Sequence, residues 1–400
     1  MHFRIAVLMA CVVVAAPMFG QTTPLSRSAA VEGALARGAR LGVARADTAV
    51  AGAAVIAARA FPNPGLSTSY SKSAPRYHVS LDAPFDLPSL RDLRVRSARA
   101  GLQAAQLRYQ FARASIALDA DTTYTRAVAA RDRLALSRRN ALDADSLLRM
   151  AERRRDAGDA SDMDVELARV NAGQQANVAA GDSLTYASAL LDLQAVLGMT
   201  ESGPVVVPTD SLVAPPEAAT PGQTLPVAAA GLSVESATLA ARLQHRSLFA
   251  FPSLSVGVEY GDPTHSEPGI LPTFGVGIAL PLFDRNRGAI AQAESERVRA
   301  LAELTLAQVE ARNEINHAMR ERAAALARVG RDRQLITSAD RVSSMALTAY
   351  REGAAALPTV LEAQRTARDV LAQYIDDLAS AWVATAELRA LAITPSTPQP

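Results

Sequence analysis

The residues able to do chemistry are few. Five histidines are present, His2, His78, His245, His265 and His317. No two of them stand at metal-ligand spacing, and His317 reads as a surface or packing residue in mid-helix. Gly275-Val276-Gly277 imitates part of a dinucleotide loop. It lies inside an alternating strand, with no phosphate-binding loop and helix after it. The sequence has no P-loop and no Gly-x-Ser-x-Gly, and its one cysteine is Cys11. No catalytic, cofactor or metal site is read from it, and no enzyme activity is expected. What remains is two turns rich in small and charged residues. The first runs through Arg154, Gly158, Asp159, Ala160, Ser161, Asp162 and Asp164. The second runs through Tyr350, Arg351, Gly353, Ala354, Ala355, Pro358 and Glu362. Gly ends a helix in a left-handed cap. Ser161 caps the next helix, with Asp162 and Asp164 near its positive end. Pro358 suits a first helical turn. Each turn is therefore expected to join two antiparallel helices.

Those helices must be long. Leu102 to Ala157 holds neither Gly nor Pro, and from Ala289 Gly330 is the only interruption before Gly353. A helix over about 90 to 153 would run on the order of 95 Å, beyond an ordinary globular domain. Its apolar positions are mostly Ala and Leu spaced three and four apart, which allows close helix packing. Ahead of the long helices lie four stretches of period two: 66–71, 77–83, 253–260 and 274–280. Leu254, Val256, Val258 and Tyr260, for example, alternate with Ser253, Ser255, Gly257 and Glu259. One face is apolar and the other polar or small. A soluble half-buried sheet gives this pattern, and so does a transmembrane barrel.

The plan is written twice, about 195 residues apart: Gly353 follows Gly158 by 195 (353 − 158) and Pro281 follows Pro84 by 197 (281 − 84). That period is too long for a solenoid repeat and marks a duplicated half-molecule. Residues 21–199 form the first half, with strands at about 65–84 and a tip near 158. Residues 227–394 form the second, with strands at about 253–281 and a tip near 353. Between them, 200–226 is a Pro-rich linker that cannot be a regular helix and need not be folded. Residues 395–400 read as a disordered tail.

Composition agrees with long packed helices. Aromatics are 4% and net charge is +1, so nothing global attracts nucleic acid. Residues 1–20 read as a signal peptide: Arg4, an apolar run from Ile5 to Ala16, then Pro17 and Gly20. The run is too short to span a bilayer, and no later segment reads as a transmembrane helix. Leu8-Met9-Ala10-Cys11 loosely resembles a lipoprotein cleavage box, which leaves lipidation as an alternative.

In order and in duplicate, these motifs resemble the TolC family of outer-membrane efflux proteins. Arg154-x-x-x-Gly158 with Asp164-Val165 is similar to the family's first periplasmic tip. Tyr350-x-x-Gly353 with Val360-Leu361-Glu362-Ala363 is similar to the second, with Ala349 where an arginine would complete the pattern. Ala83-Pro84-Phe85-Asp86, Leu280-Pro281-Leu282-Phe283-Asp284 and Arg287-Gly288 match as well. The resemblance implies a mainly α fold with a small β part. Duplicated helical hairpins would form a periplasmic α-barrel, and four strands per subunit would enter a 12-stranded transmembrane barrel in a homotrimer. It implies location in the outer membrane, with a long periplasmic extension. The function implied is passive export of substrate from an inner-membrane pump of RND type through a periplasmic adaptor (a membrane fusion protein). Arg154, Gly158, Asp159, Ala160, Ser161, Gly353, Ala354 and Ala355 would dock the adaptor. Asp164, Tyr350, Arg351 and Glu362 would form the pore constriction. Phe61-Pro62-Asn63-Pro64 resembles an element frequent in the heavy-metal efflux branch, which implies a metal cation as substrate. The alternatives are a periplasmic coiled-coil adaptor, which would carry a lipoyl-like or barrel domain between its helices, and a secreted structural protein.

Overall fold

The structure, a computed structural model, describes residues 23–394 apart from 38, 248–251, 262–268, 279–280 and 282. The leader reading, Cys11 and the tail lie outside the described residues. The chain order is β1 (Thr23–Leu25), α1 (Arg27–Arg37), α2 (Ala39–Arg59), β2 (Gly65–Tyr70), β3 (Tyr77–Pro84), α3 (Pro88–Asp156) and α4 (Asp162–Val196). There follow β4 (Val206–Pro208), α5 (Leu225–Arg246), β5 (Ser253–Tyr260), β6 (Leu271–Gly277), α6 (Arg287–Arg351) and α7 (Leu357–Leu391).

Two helices set the length. α3 has 69 residues and α6 has 65, or roughly 100 Å each. Pro88 opens α3 where its missing N–H costs nothing. The buried alanines of α6, at 293, 300, 311, 318 and 325, are spaced 7, 11, 7 and 7 residues. Heptads alone would wind the pair into a left-handed supercoil, and the 11-residue step relaxes it. Toward the sheet, α3 packs between α2 and α5, and α5 contacts α6. Toward the tips, α3 packs between α4 and α7, and α7 contacts α6. The result is one curved layer of helices with free edges at α2 and α4 on one side and at α6 on the other. Small residues bring α3 and α5 together: Ser97 and Ser236 each donate a hydroxyl to the other's carbonyl at 2.9 Å.

The four expected strands form one antiparallel sheet in the order β2-β3-β5-β6. β6 begins at Leu271 and not at 274. Pro272 falls inside it, which an edge strand tolerates because one row of N–H groups needs no partner. Its expected end at 279–280 lies outside the described residues.

The linker has no helix before Leu225, and it is folded. Val206–Pro208 pairs in parallel with Thr23–Leu25, and Val206 is 3% exposed. The Gln194 side chain accepts from the Val205 N–H and donates to the Gly203 carbonyl. Arg131 donates to the carbonyls of Pro208 and Asp210 at 2.9 Å. The Tyr124 hydroxyl, wholly buried, sits between the Asp210 carboxylate and the Leu25 carbonyl. Burial and Asp210 push the Tyr124 phenol up, while its hydrogen bond holds Asp210 below the usual carboxylate range. Prolines exclude helix but leave carbonyls free, and side chains of the long helices satisfy them.

α2 is a second departure. Within Arg40–Arg59 a stretch of 18 residues has a mean hydropathy of 1.4 and is 17% buried. By length and composition it is apolar enough to cross a membrane, contrary to expectation. It carries Arg45 and Asp47, packs along α3, and leaves Val43, Val50 and Ile56 exposed.

Candidate functional site

The two tips meet. Leu147, Ala151, Val165 and Ala168 of the first hairpin share one core with Tyr350, Leu357 and Val360 of the second. Gly158 (φ 84°) and Gly353 (φ 77°) make the left-handed turns, a conformation that costs other residues about 1–2 kcal/mol. After Gly353, the N–H groups of Ala354 and Ala355 return to the Ala349 carbonyl. Ser161 and Asp164 form a reciprocal capping box on α4. At the second tip, Leu357 and Pro358 open α7 without a side-chain cap.

Arg154 ties the tips together. Its guanidinium lies 4.6 Å from the Tyr350 ring centroid and donates to the carbonyls of Tyr350 and Asp159. Those carbonyls belong to turns at helix C-termini, where a cation is favoured. Tyr350 is 2% exposed and its hydroxyl has no partner among the described residues; burial pushes the phenol up, and Arg154 opposes that. Gly158, Asp159, Ser161, Arg351, Gly353 and Ala354 are exposed, and Arg154, Ala160, Asp164 and Ala355 half-buried. Exposed Glu362 lines a groove with Leu167, Asn171, Arg365, Arg368 and Asp369. Within the subunit neither Asp164 nor Glu362 pairs with a tip arginine among the described residues. Asp164 is held by the hydroxyl and N–H of Ser161.

At the opposite end, the sheet sorts its residues by face. Leu66, Leu81, Val256 and Phe274 lie in one cross-strand row, all at least 45% exposed. Tyr70, Tyr77 and Tyr260 form another row, with Tyr77 and Tyr260 stacked at 4.9 Å. On the other face stand Ser67, Ser80, Gly257 and Thr273. His78 there faces Glu259 at 3.1 Å. A Cβ on Gly257 would approach the Val79 carbonyl to 2.7 Å, so this face is crowded. Phe61, Phe85 and Phe283 are exposed where the strands give way to helix.

Sequence reasoning that looked for paired histidines missed one grouping. His317 and Glu321 of α6 and Glu387 of α7 bring ligand atoms within 4.8 Å of one another. The His-x-x-x-Glu spacing was legible, but the third residue comes from a helix 66 residues later (387 − 321).

The profile of the outer membrane efflux protein family matches residues 30–199 and again 223–392. The nickel-cobalt-cadmium resistance protein NccC of Alcaligenes xylosoxydans xylosoxydans is 28% identical over 301 residues, covering 71% of this chain and 67% of that protein. The outer membrane protein VceC of Vibrio cholerae superposes with a TM-score of 0.75 at 19% identity, over 92% of this chain and 96% of its own. CusC, solved in a study of transmembrane channel formation, gives 0.76 at 18% identity, over 91% of both chains. The structural matches speak for the fold, and the profile covers both halves. With its duplicated hairpins and its one-sided sheet, the chain belongs to the outer membrane efflux protein family.

Proposed function

We propose that this protein is the outer-membrane exit duct of a tripartite efflux system, assembled as a trimer and carrying divalent metal cations. The observation that carries this is the sheet. It has an apolar face exposed to nothing in the subunit, a tyrosine row at one end, and two unpaired edges, β2 and β6. An open edge cannot stand in lipid, because its N–H and C=O groups find no partner there. Three copies of a four-stranded sheet close twelve strands and leave no edge. From Tyr77 to Phe85 the chain covers about 26 Å, which at the roughly 40° tilt of barrel strands rises about 20 Å, most of the apolar band of a barrel wall.

The free edges of the helical layer fit the same assembly. On α4, Met163, Val170, Leu184 and Leu191 are exposed at heptad positions. On α6, Val298, Val309 and Met345 are exposed. A neighbour's α6 against α4, and its upper half against α2, would cover both. The tips then lie farthest from the membrane. Their exposed glycines and alanines let an adaptor hairpin approach, and the Asp164 and Glu362 carboxylates, three copies of each, favour cations at the inner mouth. The relative's name supports nickel, cobalt and cadmium as the kind of cargo.

Purified full-length protein should run as a heat-dissociable trimer from outer-membrane extracts and conduct ions in planar bilayers. A soluble monomer without conductance would sink the duct reading. Asp164→Asn with Glu362→Gln keeps the hydrogen bonds and removes the charges. Unchanged conductance and cation preference in that variant would reject the carboxylate constriction alone.

A further inference from the structure

We infer that His317, Glu321 and Glu387 form a binding site for a divalent transition-metal cation on the inner wall of the helical layer. The inference rests on the duct reading only for the location of that wall and the class of ion; the site itself stands on the residues. Imidazole with two carboxylates is a donor set of borderline hardness. It suits zinc, cobalt or nickel in the divalent state, and has no thiolate or thioether to select copper(I). The His317 Nδ1 stands 3.5 Å from Glu321 Oε2, and all three donors lie within 4.8 Å. Small side-chain rotations bring them to metal bonds of about 2.0–2.2 Å.

The face follows from helix geometry. The linker runs along one side of the layer, where Arg322 donates to the Pro216 carbonyl, Trp382 to the Val213 carbonyl, and Arg322 to Thr385. His317 precedes Arg322 by five residues, and Glu387 follows Trp382 by five. Five residues turn a helix through roughly 140°, so both donors face away from the linker. His317 lies 30 residues into α6 (317 − 287), about 45 Å below the sheet.

Two surroundings suit a passing ion. A cavity of about 600 Å³ opens beside the donors, between Phe111 and Leu118 of α3, His317 and Glu314 of α6, and Glu387 and Leu391 of α7. Three carboxylates, Glu314, Glu321 and Glu387, gather around the one imidazole there and repel one another. A dication at this point relieves that repulsion. The donors remain open to solvent, so the ion can leave again, as conduction requires.

The test is titration of untagged, chelator-treated, detergent-solubilised trimer with Ni²⁺ by calorimetry, with Mg²⁺ as the hard-ion control. The expected result is one Ni²⁺ per subunit, with His317→Asn and Glu387→Gln each weakening binding about tenfold or more, and no comparable Mg²⁺ response. Co²⁺ should quench the fluorescence of Trp382, the sole tryptophan, in the wild type and not in Glu387→Gln. The substitutions lie on solvated or half-buried positions, and circular dichroism melts check that each variant is folded. Absence of Ni²⁺ binding, or equal binding by folded variants, overturns the site. Bilayer conductance of the same preparation in KCl keeps the two readings apart: a conducting protein that binds no Ni²⁺ loses the site and keeps the duct.

Discussion

Arg154 is the residue on which both tips converge. It combines a ring contact with Tyr350 and donation to two carbonyls. Such groups together contribute about 2 kcal/mol. Arg154→Ala should therefore lower the unfolding midpoint and speed amide exchange in residues 155–161 and 351–356, leaving exchange near the sheet unchanged. Arg154→Lys should recover less than half the loss, because an ammonium lacks the planar fork. Uniform change along both hairpins would show that the contact is incidental. Further up, Asp332 and Asp377 lie buried between α6 and α7, and each keeps one carboxylate oxygen without a partner. Arg328 reaches Asp377 at 2.7 Å. Burial first, and then Asp377, raise the Asp332 carboxyl, against Arg331 and Arg328. A raised folded value means that the stabilising protonated form is full below the unfolded value and is lost as pH rises through the folded one. Asp332→Asn should then raise the melting temperature at pH 8 and have little effect at pH 4. The opposite order would refute a raised Asp332 carboxyl.

Among the elements, the strands make the sharpest claim, because alternate residues of one strand meet different solvents. Val256→Arg puts a charge on the apolar face, at a cost of roughly 2–4 kcal/mol near the bilayer centre. Ser67→Arg, on the opposite face of an exposed edge strand, should spare folding into lipid vesicles, measured by urea titration. Equal losses for the two would return the sheet to an aqueous setting. This face sorting was legible in the sequence, since period two survives in residues as plain as Ser253 to Tyr260. So were the long helices, because Gly and Pro are missing over spans that nothing else explains. The tip turns were legible from Gly158, Ser161 and Asp164, whose roles are local. The linker was not. Its fold depends on Tyr124, Arg131, Gln194 and Trp382 reaching its backbone from distant helices, and no pattern within 200–226 records that. The carboxylate–histidine group was missed for the same reason, because Glu387 joins His317 only through the packing of α6 on α7. Tyr350 was read as a pore residue from its place in a motif, yet within the subunit it belongs to the core that joins the tips.

At the scale of the whole molecule, the subunit is incomplete in a way its own surface states. A single layer of 100 Å helices leaves an apolar stripe along each free edge, and a four-stranded sheet leaves two. The same pair of edges recurs at every height, so one symmetric operation that joins α6 to α2 and α4 of a neighbour also joins β6 to β2. Helical and strand seams should then stand or fall together. Val170 and Leu184 of α4 are 57% and 70% exposed, and Val170 stands at the rim of the groove that α4 shares with α3 and α7. Burying each such side chain contributes about 1.5–3 kcal/mol, and threefold symmetry repeats the term at three seams. Val170→Asp with Leu184→Asp should abolish heat-dissociable trimer on gels and bilayer conductance together, although neither residue lies in the sheet. The helices of the variant should keep their circular dichroism, because both substituted positions are more than half exposed within the subunit. Persistence of trimer and conductance would mean that α4 does not form the seam, and the barrel would then have to close through the strands alone.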